Sequence, residues 1–245
     1  MDTLYWTQKN PNIVVGHTTK KYFGKYLYRL AMYCPAGRLI YSTGDLTKQL
    51  TIRTCNIERA QPGWWGHHYD RLDLKSTKIL ELLTEIRSMK YNPIFSNIHV
   101  RVEEPRIQLY AATENILKDL ITQTNIGLFS ENFCNINGPK DAIEMQILNS
   151  DCIIRKRDIG YKYKVIFRDG RYEKEVKNNI IQYLNNVDPS IAKMPEGCKS
   201  LFSRTQSLIW SCYFYTNDLS VNTFLTLIAP GIISKSHELV IISDK

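Results

Sequence analysis

The sequence predicts an α+β chain built from two tandem ferredoxin-like (βαββαβ) units with antiparallel sheets, and three observations carry that reading. Gly24-Lys25-Tyr26-Leu27-Tyr28-Arg29-Leu30 returns as Gly160-Tyr161-Lys162-Tyr163-Lys164-Val165-Ile166. Each copy is followed by the same succession of patterns, so that both halves read strand, helix, strand, strand, helix, strand. The 245 residues suffice for two domains of modest size. A period this long marks duplicated domains rather than a solenoid, whose units run to about 20 to 50 residues. The first unit takes residues 1–136, with a Trp- and His-rich insertion at about 43–71. A linker helix and the second unit take 137–245.

In chain order, Tyr22 to Tyr33 alternates aromatic and cationic residues and predicts a strand, followed by a turn at Cys34-Pro35-Ala36-Gly37 and a short strand from Arg38 to Ser42. Leu74, Ile79, Leu82, Leu83, Ile86 and Met89 recur at helical spacing, so Leu74 to Met89 is an expected amphipathic helix, ended by Pro93. Ile98 to Val102 and Arg106 to Tyr110 alternate strictly about Glu103-Glu104-Pro105 and read as a hairpin. Thr113-Glu114-Asn115 opens a helix through Ile121, and Gly127-Leu128-Phe129 is the expected last strand.

Asn137-Gly138-Pro139-Lys140 reads as a linker, with Asp141 to Asn149 a short helix. Ile153-Ile154 and Tyr161 to Arg168 give a strand or hairpin, and Val176, Ile180, Ile181, Leu184 and Val187 a helix closed by Pro189. Cys198 to Phe202 shows no alternation and reads as a short helix in place of a strand. Leu208 to Tyr215 is an aromatic strand, Asn217-Asp218 caps a helix carrying Val221, Phe224, Leu225 and Ile228, and Glu238 to Ile242 ends the unit.

A unit of this kind lays its helices on one face of the sheet and leaves the other open. Period-two alternation turns Ile98, Val100, Val102, Ile107 and Leu109 to the helices and His99, Arg101, Gln108 and Tyr110 to the open side. Unpaired cations are costly to bury, which assigns Lys25, Leu27 and Arg29 to the open face, with Tyr26, Tyr28 and Leu30 opposite. In the second unit the open face is expected to hold Lys162, Lys164, Ser211, Tyr213 and Tyr215, with Arg168 in the same alternation. Arg155-Lys156-Arg157 adds a basic cluster at a sheet edge, and His17-Thr18-Thr19-Lys20-Lys21 a second one.

Lys and Arg outnumber Asp and Glu by 32 to 24, for a formal charge of +8 and a pI near 9.1. This balance favours a polyanionic partner. Cations and flat rings on one open sheet suit RNA or DNA, since cations meet phosphates while rings stack on unpaired bases. The expected nucleic-acid contacts are therefore Lys25, Arg29, Arg101, Tyr110, Arg155, Lys156, Lys162, Lys164, Arg168, Tyr213 and Tyr215. Trp64-Trp65 in the insertion offers a docking loop for a protein partner, and His67 or His68 beside it a general acid or base for metal-independent RNA cleavage. Six dispersed cysteines without C-x-x-C pairing, and no glycine-rich phosphate loop or metal-binding helix motif, give no reason to expect a metal or cofactor. No apolar run approaches the roughly 20 residues of a membrane helix, and the N-terminus lacks a secretory pattern, so the expected location is the cytoplasm. Richness in Ile, Asn and Lys with little Ala suits an AT-rich genome such as those of many phages, which would make that the host cytoplasm.

In length, charge and domain order the chain is similar to the tandem ferredoxin-like CRISPR RNA-processing endoribonucleases. Those carry a glycine-rich loop near the C-terminus where this chain has Pro230-Gly231. The resemblance therefore transfers no catalytic residue.

Overall fold

The computed structural model describes residues 1–34, 36–59, 77–91, 95–103, 105–204 and 208–242. They form two compact units, Met1–Met145 and Gln146–Lys245. Each is a mixed α and β arrangement around one five-stranded sheet. Among the described residues no helix is long and apolar enough to cross a membrane.

The first unit runs α1 (Thr3–Lys9), β1 (Val14–His17), β2 (Tyr28–Tyr33), α2 (Leu46–Arg59), α3 (Thr77–Tyr91), β3 (His99–Glu103), β4 (Arg106–Ala111), α4 (Glu114–Gln123) and β5 (Phe133–Gly138), in sheet order β1-β5-β2-β4-β3. Leu30 lies opposite Leu109 and Ile136, and Met32 opposite Ile107, so these side chains share one face. They are buried together with Leu82, Leu83 and Ile86 of α3 and Leu117, Leu120 and Ile121 of α4. Helical spacing of apolar residues thus meets period-two alternation across a single core. Asp2 caps α1 by accepting from the Tyr5 N–H (3.1 Å), and Trp6 ties that helix to α4 by donating from Nε1 to Glu114 Oε1 (2.8 Å).

The second unit begins within α5 (Ala142–Asn149) and continues with β6 (Ile153–Arg155), β7 (Tyr163–Phe167), α6 (Lys174–Asn186), β8 (Ala192–Lys193), α7 (Glu196–Ser203), β9 (Tyr213–Thr216), α8 (Ser220–Ile228) and β10 (Ile233–Ile241), in sheet order β6-β10-β7-β9-β8. Val165, Phe167, Cys212 and Phe214 pack on Ile180 and Leu184 of α6, Cys198 and Phe202 of α7, and Val221 and Leu225 of α8. Burial pushes the Cys212 thiol up to about 12, which keeps it neutral in this core.

The two sheets have the same strand order and the same orientations. In each, four strands pair antiparallel and the remaining edge strand, β1 or β6, runs parallel to the last strand of its unit. Purely antiparallel sheets are therefore corrected to mixed ones. β1 is only four residues long, too short to show the alternation by which a strand is read, and β6, expected from Ile153-Ile154, carries no sign of its parallel pairing with β10.

Local corrections follow from turns. Tyr22 to Tyr33 is a strand only from Tyr28, because Phe23 (φ 52°) and Gly24 (φ 68°) turn the chain back and Tyr22 bridges Tyr26. Gly37–Tyr41 and Asn125–Asn132 are 3-10 segments where strands are expected, and the last strand of the unit is β5. The aromatic strand from Leu208 shortens to β9, since Ser211 adopts φ 53°, and β10 starts five residues earlier than its alternation suggests.

Phe214 is fully buried between β7 and the helices. Phe214→Ala is expected to cost the second unit about 3 to 5 kcal/mol; urea unfolding followed by circular dichroism measures it.

Candidate nucleic-acid interface

With the helices on one side of each sheet, the register fixes what stands on the other. In the second unit the outward positions are Lys164 and Ile166 on β7, Tyr213 and Tyr215 on β9, Lys193 on β8, Lys235, His237, Leu239 and Ile241 on β10, and Ile153 and Arg155 on β6. Among the described residues no outward register position of this sheet holds a carboxylate. Lys164 lies directly opposite Tyr215 on one side and His237 on the other. Its ammonium sits 3.6 Å from the centroid of the Tyr213 ring, a close cation–π contact. Tyr213 and Tyr215 meet edge to face at 5.3 Å, and Tyr161 stacks on Tyr215 at 5.8 Å and 20°. Burial raises the Tyr213 phenol above its ordinary range, the Tyr215 hydroxyl adds to this, and the Arg155 charge pulls the other way. The Arg155 Nε–H is buried without a hydrogen-bond acceptor, as is the Arg29 Nε–H in the first unit.

The loop that carries Tyr161 is fixed by Asn217. Its side chain donates to Gly160 O (2.7 Å) and Ser190 O (2.8 Å) and accepts from the Lys162 N–H (2.9 Å). Gly160 at φ 80° supplies the left-handed turn, closed by Asp158 accepting from its N–H (2.7 Å). The helix-capping role falls to Asp218 alone, which accepts from the Ser220 N–H at 2.8 Å.

The first unit carries the same constellation under cover. Arg29 pairs with Tyr110, and Tyr110 with His99, as Lys164 pairs with Tyr215 and Tyr215 with Lys193. Tyr26, three residues before Arg29, stacks on His99 at 5.8 Å and 15°, as Tyr161, three residues before Lys164, stacks on Tyr215. Two further rings then close the face: Tyr22 lies 5.2 Å and Phe23 5.0 Å from Tyr110. Arg29 covers the Tyr22 ring at 5.3 Å and Arg101 the Phe23 ring at 5.7 Å. Tyr110 is left 3% exposed and Gln108 6%, joined by a hydrogen bond from the phenol to Gln108 Oε1. The open polar surface expected on β3 and β4 is therefore half closed by the chain itself. Leu27, assigned to the open side, is buried, its N–H donating to Ala111 O at 3.1 Å. Lys25 is exposed, with its ammonium 5.3 Å from the Tyr26 ring.

Of the residues singled out in the sequence, Arg155, Lys164, Tyr213 and Tyr215 gather on one surface of the second unit. Arg29, Arg101 and Tyr110 gather in the first, with Lys25 on the loop above them. Lys156, Lys162 and Arg168 are exposed and flank the second sheet just outside its strands. Trp64, Trp65, His67 and His68 lie outside the described residues. Alternation, reading a strand from Tyr161, sets that residue opposite Lys164 on the side of Tyr163 and Val165, whereas it precedes the strand and stacks on Tyr215; Lys193 lies on a two-residue strand and His237 before the span read as strand.

The equivalent tyrosines differ in cover, and their energetics should differ accordingly. Tyr110→Ala is expected to destabilise its unit by about 3 kcal/mol or more, as for a buried aromatic. Tyr215→Ala removes mainly ring pairs worth about 0.5 to 1.5 kcal/mol. Paired denaturation curves of the two variants check the ranking. Compared with known proteins, the chain matches no family model, no curated protein and no solved structure.

Proposed function

We propose that the protein binds nucleic acid through the outward face of its second unit, and that each four-stranded antiparallel core is a ferredoxin-like βαββαβ module with one added edge strand. The observation that carries the first part is the charge and ring content of one surface: Arg155, Lys164, Lys193 and Lys235 with Tyr161, Tyr213 and Tyr215, and no carboxylate at an outward register position among the described residues. Cationic surfaces attract phosphates by Coulomb attraction and counterion release, independently of sequence. Partly exposed tyrosine rings on the same surface add contacts to bases, each worth about 1 to 3 kcal/mol. The formal charge of +8 for the whole chain favours the same class of partner.

The module reading rests on strand order. Without β1 and β6, the sheets read β5-β2-β4-β3 and β10-β7-β9-β8, all antiparallel, with α2 and α3 or α6 between first and second strands, α4 or α8 between third and fourth, and α7 added between second and third in the second unit. That order supports the ferredoxin-like reading.

Binding to a labelled oligonucleotide, followed by fluorescence anisotropy, is expected to weaken steeply as salt rises from about 50 to 200 mM. Replacing Lys164 and Lys193 together by Ala should lower the slope of log K against log salt by about 1 for each phosphate no longer neutralised. Salt-independent binding, or none with any oligonucleotide, would reject the proposal.

A further inference from the structure

Resting on the nucleic-acid reading above, we infer that the second unit takes unpaired bases of a single strand against Tyr213 and Tyr215, and that the first unit is closed to such a ligand by its own Tyr22 and Phe23. The first unit displays what the second is built to receive. At matching register positions the units present a cation and a tyrosine, Arg29 with Tyr110 and Lys164 with Tyr215, and each adds a stacked tyrosine from the loop three residues upstream of the cation. In the first unit two more flat rings lie on that platform, each under a guanidinium, and bury it.

Holding them there has a conformational cost. Phe23 is not glycine yet adopts φ 52°, next to Gly24 at φ 68°. The left-handed conformation crowds the Cβ of an L-residue against its own carbonyl and is strained. The strained turn, closed by the Lys25 N–H on Tyr22 O at 3.0 Å, places both rings over Tyr110, so ring contacts with the platform offset the strain.

The corresponding segment of the second unit, Arg157-Asp158-Ile159-Gly160, has no ring to offer. Asp158 turns it by bonding Gly160, and Tyr213 and Tyr215 stay partly exposed where Tyr110 is buried. Two rings under cations are the arrangement that unpaired bases with flanking phosphates supply. Duplex bases keep their faces stacked on each other and cannot supply it.

The test uses the full chain and labelled oligo-U, oligo-dT and a hairpin duplex of similar length at one salt concentration. Either single strand is expected to bind at least about 10-fold tighter than the duplex, and the two arms tell RNA from DNA. Tyr215→Ala should weaken single-strand binding roughly 10-fold with little change for duplex, while Tyr215→Phe, which keeps the ring, restores it. Circular dichroism of both variants checks folding. Stoichiometric titration with a pentamer is expected to give one strand per chain. Equal affinity for duplex and single strand with no effect of Tyr215→Ala would overturn this inference and leave the general binding proposal standing, as would two pentamers per chain. No binding to any of the three would overturn both.

Discussion

Helices on only one face of a sheet leave the chain with a second face to account for, and that constraint organises both units. Leu30 and Met32 in one, Val165 and Phe167 in the other, point to the helices and are buried. Because side chains alternate with period two, fixing those positions fixes Arg29 and Lys164 on the opposite side. An exposed apolar second face would invite association, whereas a polar one must be either solvated or satisfied internally. The units use the two different solutions. In the first, Tyr22 and Phe23 fold over Tyr110, and Arg29 donates to Asn137 Oδ1 at 2.8 Å. In the second, Lys164 and the tyrosines stay accessible.

Small differences in chain path produce this divergence. Gly24 and Gly160 both turn with positive φ, but the loop between glycine and cation is one residue longer in the first unit. Matching Gly24 with Gly160 therefore pairs Tyr26 with Lys162, whereas the strand registers pair Tyr26 with Tyr161 and Arg29 with Lys164. A one-residue slip exchanges the faces of every side chain. Asn217 supports the open arrangement by holding the Tyr161 loop with three hydrogen bonds. A substitution there would disturb the platform without touching any ligand.

Much of the architecture was legible because it rests on periodicity. The hairpin of β3 and β4, the helices α3, α6 and α8, and the outward set of His99, Arg101, Gln108 and Tyr110 all follow from alternation or helical spacing. What alternation cannot see is whether an outward residue is then covered, since Tyr22 and Phe23 reach Tyr110 through a turn that reads as strand. Nor does it see strands of two to four residues such as β1 and β8, which owe their pairing to neighbours rather than to their own pattern. Within the site, Lys164, Tyr213 and Tyr215 were legible as a strand face. Tyr161 was given the wrong face because it was read as the first residue of a strand that starts only at Tyr163, and Lys193 escaped because its strand is two residues long.

The proposal that one sheet face of this protein is open to nucleic acid while its counterpart is closed is tested most directly by chemical-shift mapping of amides and side chains during titration with a short single-stranded oligonucleotide. Shifts are expected to cluster at Tyr161, Lys164, Lys193, Tyr213 and Tyr215, with Tyr26, Arg29 and Tyr110 unmoved. Shifts centred on the first unit's Tyr110 face, or spread over neither face, would contradict it.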